Sequence, residues 1–127
     1  EEGLRYVSSV VAWRRQAKEP VTIGGVDLPE GARLLLSLAS ANRDPAKFED
    51  PENFDIHREN ARNHIAFGKG LHHCAGAPLA RLELRILLEE LTTAFPNMEL
   101  VAEQEIDFTR TLSFRGPLRL LVRLGEH

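Results

Sequence analysis

The chain has 127 residues, 43% of them hydrophobic and 28% charged, which is the composition of one soluble globular domain and not of a disordered or fibrous segment. Sixteen Lys and Arg against nineteen Asp and Glu leave a formal charge of −3, which excludes the global basic signature of a nucleic-acid binder. No apolar run approaches the roughly 18 residues of a membrane span, "EEGLRYVSSV" lacks the regions of a signal peptide, and a single cysteine forms no internal disulfide, so the reading is a soluble, cytoplasmic protein.

Residues 1 to about 8 read as helix, with Glu2 and Arg5 at i, i+3 spacing on one face. No capping residue or initiator Met precedes them, so the chain is expected to begin inside a longer one. Three β-favouring runs follow, Val21 to Ile23, Val26 to Leu28 and Arg33 to Leu36, separated by Gly24-Gly25 and Pro29-Glu30-Gly31. Apolar runs around two turn signals predict one small antiparallel sheet. A short helix is expected near Leu38 to Asn42. After it, "RDPAKFEDPENFDIHRENARN" is about twenty residues of Asp-, Asn- and Pro-rich irregular chain, a length that in a compact domain points to function or to a missing partner.

The strongest helical pattern is "APLARLELRILLEELTTAF", residues 77 to 95. Leu79, Leu82, Ile86 and Leu87 fall on one face, Leu84, Leu88 and Leu91 widen it, and Arg81, Glu83, Arg85, Glu89 and Glu90 form the polar side. Pro78 suits the first turn and Pro96-Asn97 the end. So wide a stripe suggests a helix covered on more than one side. The tail, "LSFRGPLRLLVRL", reads as strands bent around Gly116-Pro117.

Cys74 lies in "FGKGLHHCAG", residues 67 to 76, where a glycine-rich loop enters the long helix. By residue type alone a single cysteine is a small buried hydrophobe. Its position at a helix entry favours a thiolate, because backbone N–H groups and the positive helix end lie nearby. A helix end contributes only about 0.3–1 kcal/mol to a nearby negative charge, whereas a bound metal deprotonates a coordinating thiol outright. The loop is therefore suited to tune a sulfur ligand and less suited to create one. Three chemistries compete: a nucleophile with His64, His72 or His73 as base; a zinc or copper site drawing on His64, His72, His73 and Cys74; and a thiolate on haem iron. The first lacks a known signature, and the H-x7-H-H-C spacing of the second is unlike paired zinc ligands.

Phe67-Gly68-x-Gly70-x-His72-x-Cys74-x-Gly76 resembles, at every defined position, the haem-binding loop of the cytochrome P450 family. Glu2-Gly3-Leu4-Arg5 resembles its E-x-x-R helix motif, and Phe48, Pro51, Phe54 and Arg58 in "FEDPENFDIHR" resemble its meander. "APLARLELR" looks like the bacterial, soluble form. The departures are mild: Gly3 inside a helical motif, and Ala75 where a larger aliphatic is commoner.

The resemblance implies an α+β, mainly helical fold, with residues 1–127 forming the C-terminal part of a single cytochrome P450 domain: small antiparallel sheet, meander, Cys loop, long helix and C-terminal β-hairpin. It implies a monooxygenase that inserts oxygen into an organic substrate using O2 and two electrons, with an inactive or non-enzymatic haem-binding fragment as the alternative. Cys74 would be the axial ligand of haem b. Phe67, Gly68, Gly70, His72 and Gly76 would complete the loop, and Arg15, in "RQA" ahead of Ile23-Gly24-Gly25, would bind a haem propionate, with Arg14 the weaker candidate. His72 corresponds to a second propionate contact. His64 is a third candidate whose competing reading is a core histidine, and His73 is expected to be structural or exposed. Glu2, Arg5 and Arg58 would form a buried charge network, for which the plain alternative is an exposed i, i+3 pair. Val10, Val11, Trp13, Ser113 and Phe114 are candidate substrate contacts, with core packing the competing reading for Trp13 and Phe114. Exposed Lys69 would lie where a ferredoxin or flavoprotein donor docks, and proton-delivery residues are expected outside this chain.

Overall fold

The computed structural model describes residues 1–125. They divide into two compact units, Glu1–Ala66 with Thr111–Arg115, and Phe67–Arg110 with the segment from Gly116 onward.

The first unit opens with a short helix, α1 (Glu2–Tyr6). Strand β1 (Ala12–Gln16) pairs antiparallel with β4 (Arg33–Ser37), in a register running from Ala12 opposite Ser37 to Gln16 opposite Arg33. Between them, β2 (Val21–Ile23) and β3 (Val26–Leu28) form a separate two-stranded hairpin. Gly24 and Gly25, at φ +58° and +80°, supply the two left-handed residues that a tight hairpin of this hand requires.

The three runs therefore do not make one sheet. At Pro29-Glu30-Gly31 the Ala32 N–H donates to the Pro29 carbonyl at 3.1 Å, with Gly31 at φ +83°, the conformation of a turn with glycine in its third position. Gly31 N–H then bonds the Ala17 carbonyl and Ala17 N–H the Ala32 carbonyl, both at 2.9 Å. The turn thus delivers β4 to β1 and past β3. Strand β1 reads "AWRRQ", too polar to show apolar alternation.

Ser37 accepts the Ser40 N–H at 3.3 Å and caps α2 (Leu38–Ala41). The following meander is irregular but saturated with local bonds. Asp44 Oδ1 accepts Ala46 N–H at 2.9 Å, Asp55 Oδ1 accepts His57 N–H at 2.8 Å, and the Asp44 carbonyl accepts Lys47 and Phe48 N–H at 2.9 Å. Short acidic side chains bond the backbone two residues on, which is why Asp suits such chain.

What the meander folds around is a charge. Arg5 is fully buried, and all five of its N–H donors are used. Nε and Nη2 fork onto the Glu2 carboxylate at 2.7 Å each, Nη1 donates to the Asn42 and Pro51 carbonyls at 2.9 Å, and Nη2 donates to the Asn53 carbonyl at 3.1 Å. The Phe48 ring, 2% exposed, lies 5.3 Å from the guanidinium carbon. Glu2 Oε1 also accepts Asp55 N–H at 3.1 Å and Arg58 Nε–H at 3.2 Å. Arg58 continues to the carbonyls of Glu49, Asp50 and Asn53. The i, i+3 pair is thus buried and joined to Arg58 in one network. The fork to Arg5 is the largest cause that lowers the Glu2 pKa to about 2, against the opposing effect of burial, with Asp55 N–H and Arg58 adding to the decrease. The same fork raises the Arg5 pKa.

In the second unit, α3 spans Ala77–Ala94 with Pro78 in its first turn. Its apolar stripe stays largely open: Leu79, Leu82, Leu84, Ile86, Leu87 and Leu88 are exposed, and Ala77 is its buried residue. Strands β5 (Glu99–Leu100) and β6 (Val122–Arg123) pair antiparallel. The Gln104 amide extends them, accepting Leu121 N–H and donating to the Leu121 carbonyl, both at 2.8 Å. Phe108 bridges Pro117, and Thr109 N–H donates to the Gly116 carbonyl at 3.0 Å. Gly116-Pro117 therefore lies in the returning arm of this hairpin and is not its bend.

A pH dependence follows from Glu2. Its folded pKa is depressed from 4.5 to about 2, so its contribution is fully present above 4.5 and is lost as pH falls towards 2. At ~1.36 kcal/mol per unit the contribution is roughly 3 kcal/mol. Glu2→Gln should lower stability near neutral pH and flatten the acid limb of a stability–pH profile measured by denaturant unfolding; an unchanged acid limb would contradict this role. Arg5→Leu should cost about 3–5 kcal/mol, because it strands the Glu2 carboxylate, and a cost below 1 kcal/mol in the same measurement would contradict it.

Candidate functional site

Residues 67 to 76 form a closed loop ahead of α3. Cys74 N–H donates to the Phe67 carbonyl at 2.9 Å, pinning the two ends together. Gly68 (φ +74°) and Gly70 (φ +77°) take left-handed conformations between them, which side-chain-bearing residues rarely adopt. Gly70–His72 form a single 3-10 turn, with His73 N–H on the Gly70 carbonyl at 3.0 Å. Ala77 N–H then bonds the Cys74 carbonyl at 3.2 Å and Ala80 N–H the Gly76 carbonyl at 2.9 Å, starting α3.

The Cys74 thiol is free and exposed, so the core reading from residue type does not hold for this chain. Gly76 stands beside the sulfur: a Cβ there would lie 3.7 Å from Sγ, and one at Gly68 would lie 3.5 Å from the His72 carbonyl oxygen. The N–H groups of Ala75 and Gly76 take no backbone acceptor among the described residues. They are the orphan donors expected at a helix start, adjacent in sequence to a sulfur that gains from them when negatively charged. From Leu71 to Gly76 every residue is exposed, Leu71 fully so at 103%. The loop thus offers one soft ligand on an open, glycine-flattened surface. That donor set fits a flat macrocyclic metal complex bound through one axial thiolate. Among the described residues, no three His, Cys, Asp or Glu side chains gather as a metal cage.

The other loop candidates divide. His72 is exposed on the 3-10 turn, beside Cys74 in the same open stretch. His73 turns to the backbone, with Nδ1 3.3 Å from the Gly68 carbonyl oxygen and its ring edge-on to Phe67 at 6.5 Å. Lys69 is exposed.

In the first unit, Arg15 lies on β1, exposed, with Nη1 donating to the Arg14 carbonyl at 2.9 Å. Strand alternation puts Arg15 on the same face as Trp13, opposite to Arg14. His64 is buried, with its Nε2 2.9 Å from the Glu1 carboxylate and its Nδ1 accepting Ala66 N–H at 3.1 Å. Both ring nitrogens are thus committed within this unit, as a satisfied core histidine would be.

The candidate substrate contacts come together. Val10 bridges Phe114, Val11 N–H donates to the Ser113 carbonyl at 2.8 Å, and the Trp13 and Phe114 rings meet edge-on at 5.6 Å. Both rings stay partly open, Trp13 at 40% and Phe114 at 49%.

Asn42, 1% exposed, is a residue that the sequence did not single out. Its amide donates to Ser8 Oγ and accepts Ile65 N–H, each at 2.7 Å, while its carbonyl serves Arg5. Nothing in "SANRD" distinguishes it from a turn residue.

Residues 1–118 match the family model for "Cytochrome P450". The chain is 43% identical over its whole length to the cyclomarin C epoxidase CymV of Salinispora arenicola, covering 32% of that protein. It is 42% identical to the 6-deoxyerythronolide B hydroxylase of Saccharopolyspora erythraea, over 98% of this chain and 31% of that one. Among solved structures, CYP109E1 of Bacillus megaterium in complex with testosterone superposes with a TM-score of 0.92 at 42% identity, over 98% of this chain and 34% of that one. The chain thus spans about a third of the length of these relatives, a family whose cofactor is haem ligated by a cysteine thiolate. A family match over nearly all of its residues, on top of this loop and this charge network, makes the chain a member of the cytochrome P450 family.

Proposed function

We propose that the chain is the haem-thiolate region of a monooxygenase, part of a single cytochrome P450 domain, with Cys74 as axial ligand of haem b. The observation that carries this reading is the free, exposed Cys74 thiol at the start of α3, in a loop shaped by left-handed Gly68 and Gly70. When bound, thiolate-ligated haem supplies the activation of O2 that inserts one oxygen atom into a C–H or C=C bond and releases the other as water, at the expense of two electrons and two protons.

The chain's own residues do the rest. Cys74 would hold the iron and supply electron density through sulfur, and the N–H groups adjacent to it would temper that donation. Gly68, Gly70 and Gly76 would leave room for the haem beside the sulfur, and Phe67 closes the loop through its carbonyl. Arg15 and His72 neutralise the haem propionates, the planar Arg15 fork being suited to a carboxylate. Val10, Val11, Trp13, Ser113 and Phe114 line the substrate pocket with apolar and aromatic surface. The epoxidase and hydroxylase relatives support oxygen insertion into a small organic substrate. Electrons come from a ferredoxin or flavoprotein docking near Lys69, and the reaction runs in the cytoplasm. No helix among the described residues is long and apolar enough to cross a membrane.

Cys74→His should abolish the red-shifted Soret band of the reduced CO complex, and retention of that band would overturn the ligand assignment. Haem absorbance resembling free haem in the unsubstituted protein would favour an inert fragment over an enzyme. Arg15→Ala and His72→Ala should each speed haem loss to an excess haem scavenger, roughly tenfold to a hundredfold for a charge-assisted bond of ~1.5–3 kcal/mol. Arg15→Lys should recover part of that loss, and unchanged rates in both alanine variants would remove the propionate roles.

A further inference from the structure

We propose that Arg81 is a positioning residue for the Cys74 sulfur, acting through the ring of Phe67. The inference rests on the reading of Cys74 as haem ligand.

The loop that presents Cys74 contains three glycines, each with more backbone freedom to lose than any other residue. One backbone bond, Cys74 N–H to the Phe67 carbonyl, ties its two ends. Where Phe67 sits therefore sets where the sulfur sits. The Phe67 ring is held from two directions. The Arg81 guanidinium carbon lies 4.8 Å from the ring centroid, over its face. His73 meets the ring at 6.5 Å and 72°, with Nδ1 3.3 Å from the Gly68 carbonyl oxygen.

Arg81 stands in the second turn of α3, on backbone fixed by helical hydrogen bonds. A guanidinium over an aromatic face is attracted by the ring quadrupole, and its planar shape also stacks. The stack thus ties the flexible glycine loop to the rigid helix, directly before the ligand. By helix periodicity Arg81 is only a residue of the polar side, yet it is half-buried, whereas Arg85 is exposed and reaches Glu89 at 3.7 Å. His73 likewise belongs to the clamp and is more than a bystander next to Cys74.

The test compares haem-loaded wild type, Arg81→Ala, Arg81→Lys, Phe67→Leu and the double variant Arg81→Ala/Phe67→Leu. Two quantities are read: the lifetime of the red-shifted reduced CO band in mild denaturant, and the midpoint potential of the iron. Arg81→Ala is expected to shorten the lifetime about threefold to tenfold, as the loss of one partly desolvated cation–π contact would. Arg81→Lys keeps the charge without the planar stack and should fall between wild type and alanine, so it serves if the alanine variant does not retain haem. The double variant should match Phe67→Leu alone in both quantities, because Arg81 acts on the sulfur through that ring. An unchanged lifetime in both Arg81 variants would overturn the proposal. So would an Arg81→Ala effect that persists undiminished in the Phe67→Leu background, which would mean that Arg81 acts by charge alone. If Cys74→His keeps the red-shifted band, the ligand reading itself fails, whatever the Arg81 variants do.

Discussion

The first unit depends on a single buried guanidinium. A charge without water needs every donor met, and Arg5 meets that demand with one carboxylate and three carbonyls drawn from residues 42, 51 and 53. The carbonyls come from segments with no regular structure. The meander thus gets its shape from its obligation to a cation, in place of the sheet or helix ladders that usually satisfy a backbone. Phe48 and Asn42 are buried beside the network because they wall it off from solvent. Glu2 stays ionised for the same reason, with three N–H partners on one of its oxygens.

The second unit solves a different problem, which is to present a sulfur outward without letting it wander. Left-handed glycines open the surface and cost order. A backbone bond to Phe67, the start of α3 and the Arg81 and His73 contacts on the Phe67 ring return it. The exposed apolar stripe of α3 stands apart from this arrangement, and a chain spanning about a third of its relatives' length carries no complement for it among the described residues.

The legible parts of the sequence were those whose chemistry is local. Gly24-Gly25 specified a hairpin turn, Pro78 and Pro96 bounded α3, and the spacing of Phe67, Gly70, His72, Cys74 and Gly76 specified the loop. Where a partner is distant, local pattern carries less. Strand β1 has a polar sequence and a mate about twenty residues away, so one sheet of the three apolar runs was expected where β4 in fact pairs with β1. The pairing of β5 with β6 depends on the Gln104 side chain standing in for strand backbone, which no propensity records. Glu2 and Arg5 were visible as a pair, but only the family resemblance implied their burial, because it is conferred by carbonyls some forty to fifty residues away. Arg81 hid for a similar reason: periodicity assigns a face, not an aromatic ring lying against it.

The central claim is that the sulfur of Cys74 binds haem iron. Cys74 is the chain's single cysteine, so isotope substitution at cysteine sulfur addresses it alone. Haem-loaded protein grown with 34S-cysteine should show, by resonance Raman spectroscopy, an iron–sulfur stretching band displaced to lower frequency relative to the 32S protein. A spectrum without an isotope-sensitive band would contradict the account.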